Sequence, residues 1–122
     1  TWLDQGIVPV IAPLTHDGQG HMLNTNADTM ASETAQAPAA YAAVTHGSCS
    51  EKPGVLSDPA DDNSVIPVIT RTDFDRLTAD GTIAGGMKPK VENALAAVSA
   101  GVGRVIITQA SAIGQEGGTV IQ

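Results

Sequence analysis

Short β-branched runs alternate along this chain with stretches of helical period, and that alternation commits it to a layered α/β arrangement. The helical signal is plainest after Pro89, which suits a first turn. Val91, Leu95 and Val98 recur at i, i+4 and i+7, and Gly101 offers a stop. Val105-Ile-Ile107 then reads as a strand, and Thr119-Val-Ile121 as a terminal one beyond the glycine-rich Gly114 to Gly118. Upstream, Gly6-Ile-Val-Pro-Val-Ile-Ala-Pro13 reads as a strand that Pro9 places near an edge. With the Asp17-Gly18 turn and a return over Gln19 to Leu23, residues 7 to 23 read as a hairpin. Asn24 or Asn26 can cap a following helix over Ala27 to Ala37, with Asp28 in its first turn and Pro38 expected to end it.

The middle of the chain is more irregular. Ala43 to Ser50 has the length of a strand but little apolar mass, whereas Gly54-Val-Leu56 and Val65 to Ile69 are better strand candidates. Between them Ser57 to Ser64 describes a solvated acidic loop. Thr72-Asp-Phe-Asp75 resembles a capping box, Phe74 and Leu77 give its helix an apolar face, and Gly81 can end it.

Composition narrows the function. The 122 residues fit one domain and contain one Trp, one Tyr and one Phe, too few aromatic faces for a platform that stacks single-stranded bases. A formal net charge of -7 also argues against phosphate-backbone binding, so no nucleic acid partner is expected. No apolar run reaches a membrane span and no secretory signal is visible at Thr1 to Asp4, so neither membrane nor export is expected. The single Cys49 has no partner for an internal disulfide, which fits a cytoplasmic setting.

Two segments carry polar residues that structure alone does not account for. Asn24-Thr-Asn-Ala-Asp28 lies at a strand-to-helix junction, where it can cap the helix or hold a polar ligand against free backbone N–H groups. Gly81-Thr-Ile-Ala-Gly-Gly-Met-Lys-Pro-Lys90 is a glycine-rich turn into a helix. It can be a plain loop, or it can approach phosphates closely with Lys90 neutralising their charge. It is neither a Walker loop nor a dinucleotide fingerprint. His16, His21 and His46 with Cys49 or Glu51 lack zinc-site spacing, so no side-chain metal site is expected.

Taken together and in order, Gly6 to Pro13, Asn24 to Asp28, Pro53-Gly-Val-Leu56, Asp80-Gly-Thr-Ile-Ala-Gly-Gly-Met87 and Pro89-Lys-Val-Glu-Asn-Ala-Leu95 resemble the acetylglutamate kinases of the amino-acid kinase family. The resemblance covers nearly the whole chain and is to the C-terminal half of such an enzyme, with an ending from Ser111 like that of the Bacteroidetes branch. It implies a partial three-layer α/β/α sandwich of the amino-acid kinase type. Residues 1–37 would then be the end of the acyl-amino-acid lobe and a linking helix, and residues 38–122 the ATP-binding lobe.

The implied reaction is ATP-dependent phosphorylation of the side-chain carboxylate of N-acetyl-L-glutamate, or of N-succinyl-L-glutamate, in arginine biosynthesis. Mg2+ would enter with the nucleotide. By resemblance Asn24 would contact the acylated substrate, Asp28 would hold the catalytic lysines, and Lys90 would stabilise the transferring and leaving phosphates. Ser50, Glu51 and Gly54 would lie by the nucleotide, and Gly85, Gly86 and Met87 would border it. A homo-oligomer is compatible with the resemblance.

Three features depart from the family pattern: a polar His46-Gly-Ser-Cys-Ser50-Glu51 where an apolar strand ending in Thr-Asp is usual, Pro38 at a helix end, and Lys88 before Pro89. The family's amino-terminal lysine, Gly-Gly turn and substrate-binding arginine belong upstream of Thr1, so these 122 residues by themselves are expected to be inactive. A second reading is a non-enzymatic nucleotide-binding or structural α/β module, and a third an α/β domain with no ligand.

Overall fold

A computed structural model describes residues 1–122. A 3-10 turn at Leu3–Gln5 precedes a two-stranded antiparallel hairpin of β1 (Leu14–His16) and β2 (Met22–Asn24). Helix α1 (Ala27–Ala39) leads to β3 (Thr45–Ser50), the short β4 (Val68–Ile69) and helix α2 (Arg71–Ala79). Helix α3 (Met87–Ser99), β5 (Arg104–Gln109) and β6 (Thr119–Ile121) complete the chain. The main sheet has the order β3-β5-β6-β4, with β3 parallel to β5, β4 parallel to β6, and β6 antiparallel to β5. The α/β class expected from the sequence is therefore the one observed.

The core lies between this sheet and the helices. Val91, Ala94 and Leu95 of α3 and Phe74 and Leu77 of α2 join Ile69, Val105, Ile107 and Ile121 in one buried cluster, to which α1 adds Ala35. Val98 is only partly buried against it. Because side chains alternate along a strand, Val105, Ile107 and Ile121 face the helices. The register Gly47↔Ile106↔Val120↔Val68 lies on the opposite face, where Ile106 and Val120 are half-buried and Val68 is exposed. The chain thus holds the sheet and one helical layer of a sandwich. No helix is long and apolar enough to cross a membrane.

Several local expectations are corrected. Ile7 to Ala12 form no strand: they are exposed and unpaired, and the hairpin closes later, on Leu14–His16. β-branched composition could not compensate for the ladder N–H groups that Pro9 and Pro13 lack. Helix α1 runs through Pro38 to Ala39, because a proline in the last turn removes only one bond before the helix ends. The capping box sits two residues earlier than the sequence suggested. Thr70 Oγ1 accepts from the Asp73 amide and the Asp73 carboxylate accepts from the Thr70 amide. Gly54-Val-Leu56 forms no strand and reaches Val65 only by the isolated bridge Leu56↔Val65, while the strand expected over Val65 to Ile69 is confined to Val68–Ile69. At the end of α3, Gly101 takes φ +108°, a conformation that a side chain would strain.

Candidate functional site

The polar residues of the site are brought together by the first turns of two helices packed side by side over the β3 end of the sheet. Asn26 caps α1, its Oδ1 accepting from the Thr29 amide at 3.0 Å, so Asp28 stands in the first turn. Of the two caps the sequence allowed, Asn26 is the one used. Helix α3 follows Gly86 with no side-chain cap; the Lys88 amide donates to the Gly85 carbonyl at 3.3 Å, which leaves the Gly86 and Met87 N–H groups and the positive end of the dipole uncovered. Pro89 costs nothing there, since its missing N–H would have had no partner, and Lys90 follows.

Lys90 Nζ donates to Asp28 Oδ1 at 2.6 Å and to Ser48 Oγ of β3 at 3.4 Å. The lysine side chain is 17% exposed and the aspartate 42%, so the pair is open to solvent on the carboxylate side. Ser32 and Asn93 line the same small cavity, with His46. Ser32 is four residues beyond Asp28 and Asn93 three beyond Lys90, the spacing that puts side chains on one helix face.

Outside this cavity, Lys90 also lines an open groove with Ser50, Glu51, Lys52, Gly86 and Met87. The groove continues past Lys52 and Met87 to Gly54, Val55, Leu56 and Ala84. The structure therefore gathers Lys90, Asp28, Ser50, Glu51, Gly54, Gly86 and Met87 into one connected region. Gly85 lies in the turn between the two ends of the groove, with φ +55°, and lines neither. Asn24 sits at the end of β2 with an exposed side chain that makes no hydrogen bond within the chain. Gly54 has a packing reason of its own, since a Cβ there would lie 2.8 Å from Thr119 Oγ1 and Val65 Cγ1.

Sequence reasoning missed Ser48, Ser32, Asn93 and Lys52 as site residues, and it weighed His46 only as a metal ligand. The signal was the period of two in His46-Gly-Ser48-Cys-Ser50, which puts three polar side chains on the helix-facing side of β3 opposite Val105, Ile107 and Gln109. Burial lowers the His46 pKa from its ordinary value; the Asp28 carboxylate opposes that shift and the Lys90 ammonium adds to it. On the far side of His46 a wider groove of about 440 Å³ is lined by Ile11, Met30, Ala35, Pro38 and Val44 among others.

Residues 1–109 match the model of the amino acid kinase family. The chain belongs to the amino-acid kinase family. An acetylglutamate kinase of Phocaeicola vulgatus is 61% identical over 118 residues, which are 97% of this chain and 46% of that protein. One of Bacteroides thetaiotaomicron is 59% identical over 120 residues, covering 98% of this chain and 47% of the relative. The chain thus spans just under half the length of the curated relatives it matches. Among solved structures, smu.665 of Streptococcus mutans superposes with a TM-score of 0.78 at 31% identity, over 99% of this chain and 45% of that one. The N-acetylglutamate synthase of Neisseria gonorrhoeae shares the fold, with a TM-score of 0.81 at 22% identity over 98% of this chain and 28% of its own.

Proposed function

We propose that the protein phosphorylates the side-chain carboxylate of N-acetyl-L-glutamate or N-succinyl-L-glutamate with ATP, in the cytoplasm and toward arginine, and that this chain supplies the phosphate-binding part of the site. The observation that carries the reading is the Lys90–Asp28 pair at 2.6 Å, at the uncapped start of α3 and at one end of the Ser50-to-Leu56 groove. Similarity to acetylglutamate kinases supports this choice of reaction.

In that reaction a carboxylate oxygen of the acceptor bonds to the γ-phosphorus as the bond to the β-γ bridging oxygen breaks, and ADP leaves. The acceptor is already an anion, so no base is needed; charge neutralisation and alignment are the whole demand on the protein. Lys90 would meet that demand at the transferring and leaving oxygens, helped by the free Gly86 and Met87 N–H groups at the start of α3. Asp28 fixes the ammonium and Ser48 supports it from the strand. Ser50, Glu51, Gly54, Gly85, Gly86 and Met87 would border the nucleotide, and Asn24, exposed at the same end of α1, would be free to contact the acylated substrate. With Asp28 committed to Lys90 and Glu51 exposed, the residues here suit Mg2+ carried on the nucleotide phosphates, where it would supply further charge neutralisation.

Calorimetric and thermal-shift titrations test the reading. Mg-ATP is expected to stabilise the chain by RT ln(1 + [L]/Kd), about 2.7 kcal/mol at a hundredfold excess over Kd. Lys90→Met is expected to diminish the Mg-ATP effect and leave the adenosine effect nearly intact, because adenosine has no phosphate for the ammonium to meet. Equal losses for both ligands, or no Mg-ATP effect in the unsubstituted chain, would refute the phosphate role.

A further inference from the structure

His46 is the one residue that lines both the apolar groove beside α1 and the small cavity that holds Lys90 and Asp28. Its ring is therefore the wall between them. Its Nδ1 is buried and has no hydrogen-bond partner. A neutral ring protonated at Nε2 keeps an unpaired N–H donor out of that position. A charged ring would place one there, and would bring a second positive charge to the Lys90 ammonium.

The charged groups that face the ring are Asp28 from α1 and Lys90 from α3. β5 contributes Val105, and the N-terminal segment contributes Pro9 and Ile11, none of which titrates. Asp28 is thus the single carboxylate in the cavity, and its Oδ1 is taken by Lys90.

We propose that His46 is a positioning residue for the Lys90–Asp28 pair: the neutral ring leaves the Asp28 carboxylate wholly to Lys90, and the protonated ring competes for that carboxylate and pushes the ammonium outward. The consequence for phosphate binding rests on the role proposed above for Lys90, whereas the coupling of the three side chains does not. Acid would then act on the site through one strand residue, with no change in the acceptor or the nucleotide.

Side-chain NMR on the ligand-free chain reads this directly. The His46 ring signals, assigned by their loss in His46→Gln, are expected to titrate below the ordinary 6.5. The midpoint should rise in Lys90→Met, which removes the repelling cation, and fall further in Asp28→Asn, which removes the anion. The Lys90 Cε and Nζ signals should follow the same midpoint in the unsubstituted chain and lose that step in His46→Gln. A His46 midpoint that neither variant moves would overturn the proposal, as would a Lys90 step that persists in His46→Gln. Should His46→Gln not fold, the two midpoint shifts decide the matter, with His46 assigned by exclusion after His16→Gln and His21→Gln. Because no nucleotide is present, absence of Mg-ATP binding would refute the phosphate role and leave this coupling standing, while an indifferent His46 would do the reverse.

Discussion

Thr119 shows how much one side chain can hold together. Its buried hydroxyl accepts from the Val55 amide at 2.8 Å and donates to the Ile66 carbonyl at 2.7 Å, tying β6 both to the groove wall at Val55 and to the segment that leads into β4. Thr119→Val keeps the shape and leaves both backbone groups unpaired in the interior, so a loss of about 1–3 kcal/mol is expected in denaturant unfolding. A loss within about 0.5 kcal/mol would mean that water replaces the hydroxyl. His46 bears on stability as well as on the site. Its folded-state pKa is depressed, so between that value and the unfolded 6.5 the unfolded chain binds more protons. Its contribution is therefore complete above 6.5 and declines as pH falls below it. Unfolding free energy measured across this range should slope upward with pH, and His46→Gln should flatten that slope.

At the scale of elements, α3 and β5 form the center of the fold and α2 illustrates local control. Leu95 is 4% exposed among Val91, Val105 and Ile107, so Leu95→Ala should cost about 2–5 kcal/mol in chemical denaturation. The α2 cap depends on two reciprocal bonds, and Thr70→Ala removes its side-chain part for about 1 kcal/mol. Hydrogen bonds from the Thr70 hydroxyl and amide hold the Asp73 carboxyl below its usual 3.8, so the cap should weaken only as acid protonates Asp73 below that value. Helix α3 was legible because Val91 and Leu95 repeat at helical spacing and Gly101 closes it. Strand β3 was hard to read because His46, Ser48 and Ser50 replace the apolar face with polar side chains, and the Lys90 ammonium that Ser48 meets is 42 positions away.

For the molecule as a whole, protection from solvent is uneven. Val8, Val10, Ile11 and Ala12 donate no backbone hydrogen bond, and Val8 and Val10 are 79% and 94% exposed. Val105 to Ile107 lie between two paired strands. Amide exchange should therefore be close to intrinsic rates over Val8 to Ala12 and slowest in β5 and the middle of α3; uniform protection would contradict the two-part architecture. The function proposed above leaves a second lysine and most acyl contacts to be supplied from outside these 122 residues, which span just under half the length of the acetylglutamate kinases they match. A hydroxamate assay on this polypeptide alone, with N-acetyl-L-glutamate, ATP and magnesium, should give no turnover, and measurable product would place the whole catalytic set within it.

The sequence by itself determined the α/β class, the family and the buried faces of α2 and α3, because these depend on local period, on caps and on a set of motifs read in order. Tertiary structure alone decided that Asn26 is the cap, that Ile7 to Ala12 remain unpaired, and that Ser48 and His46 stand beside Lys90 and Asp28. Those outcomes depend on which surfaces meet across the fold, and a pairing such as Lys90 with Asp28 spans 62 positions that no local pattern connects.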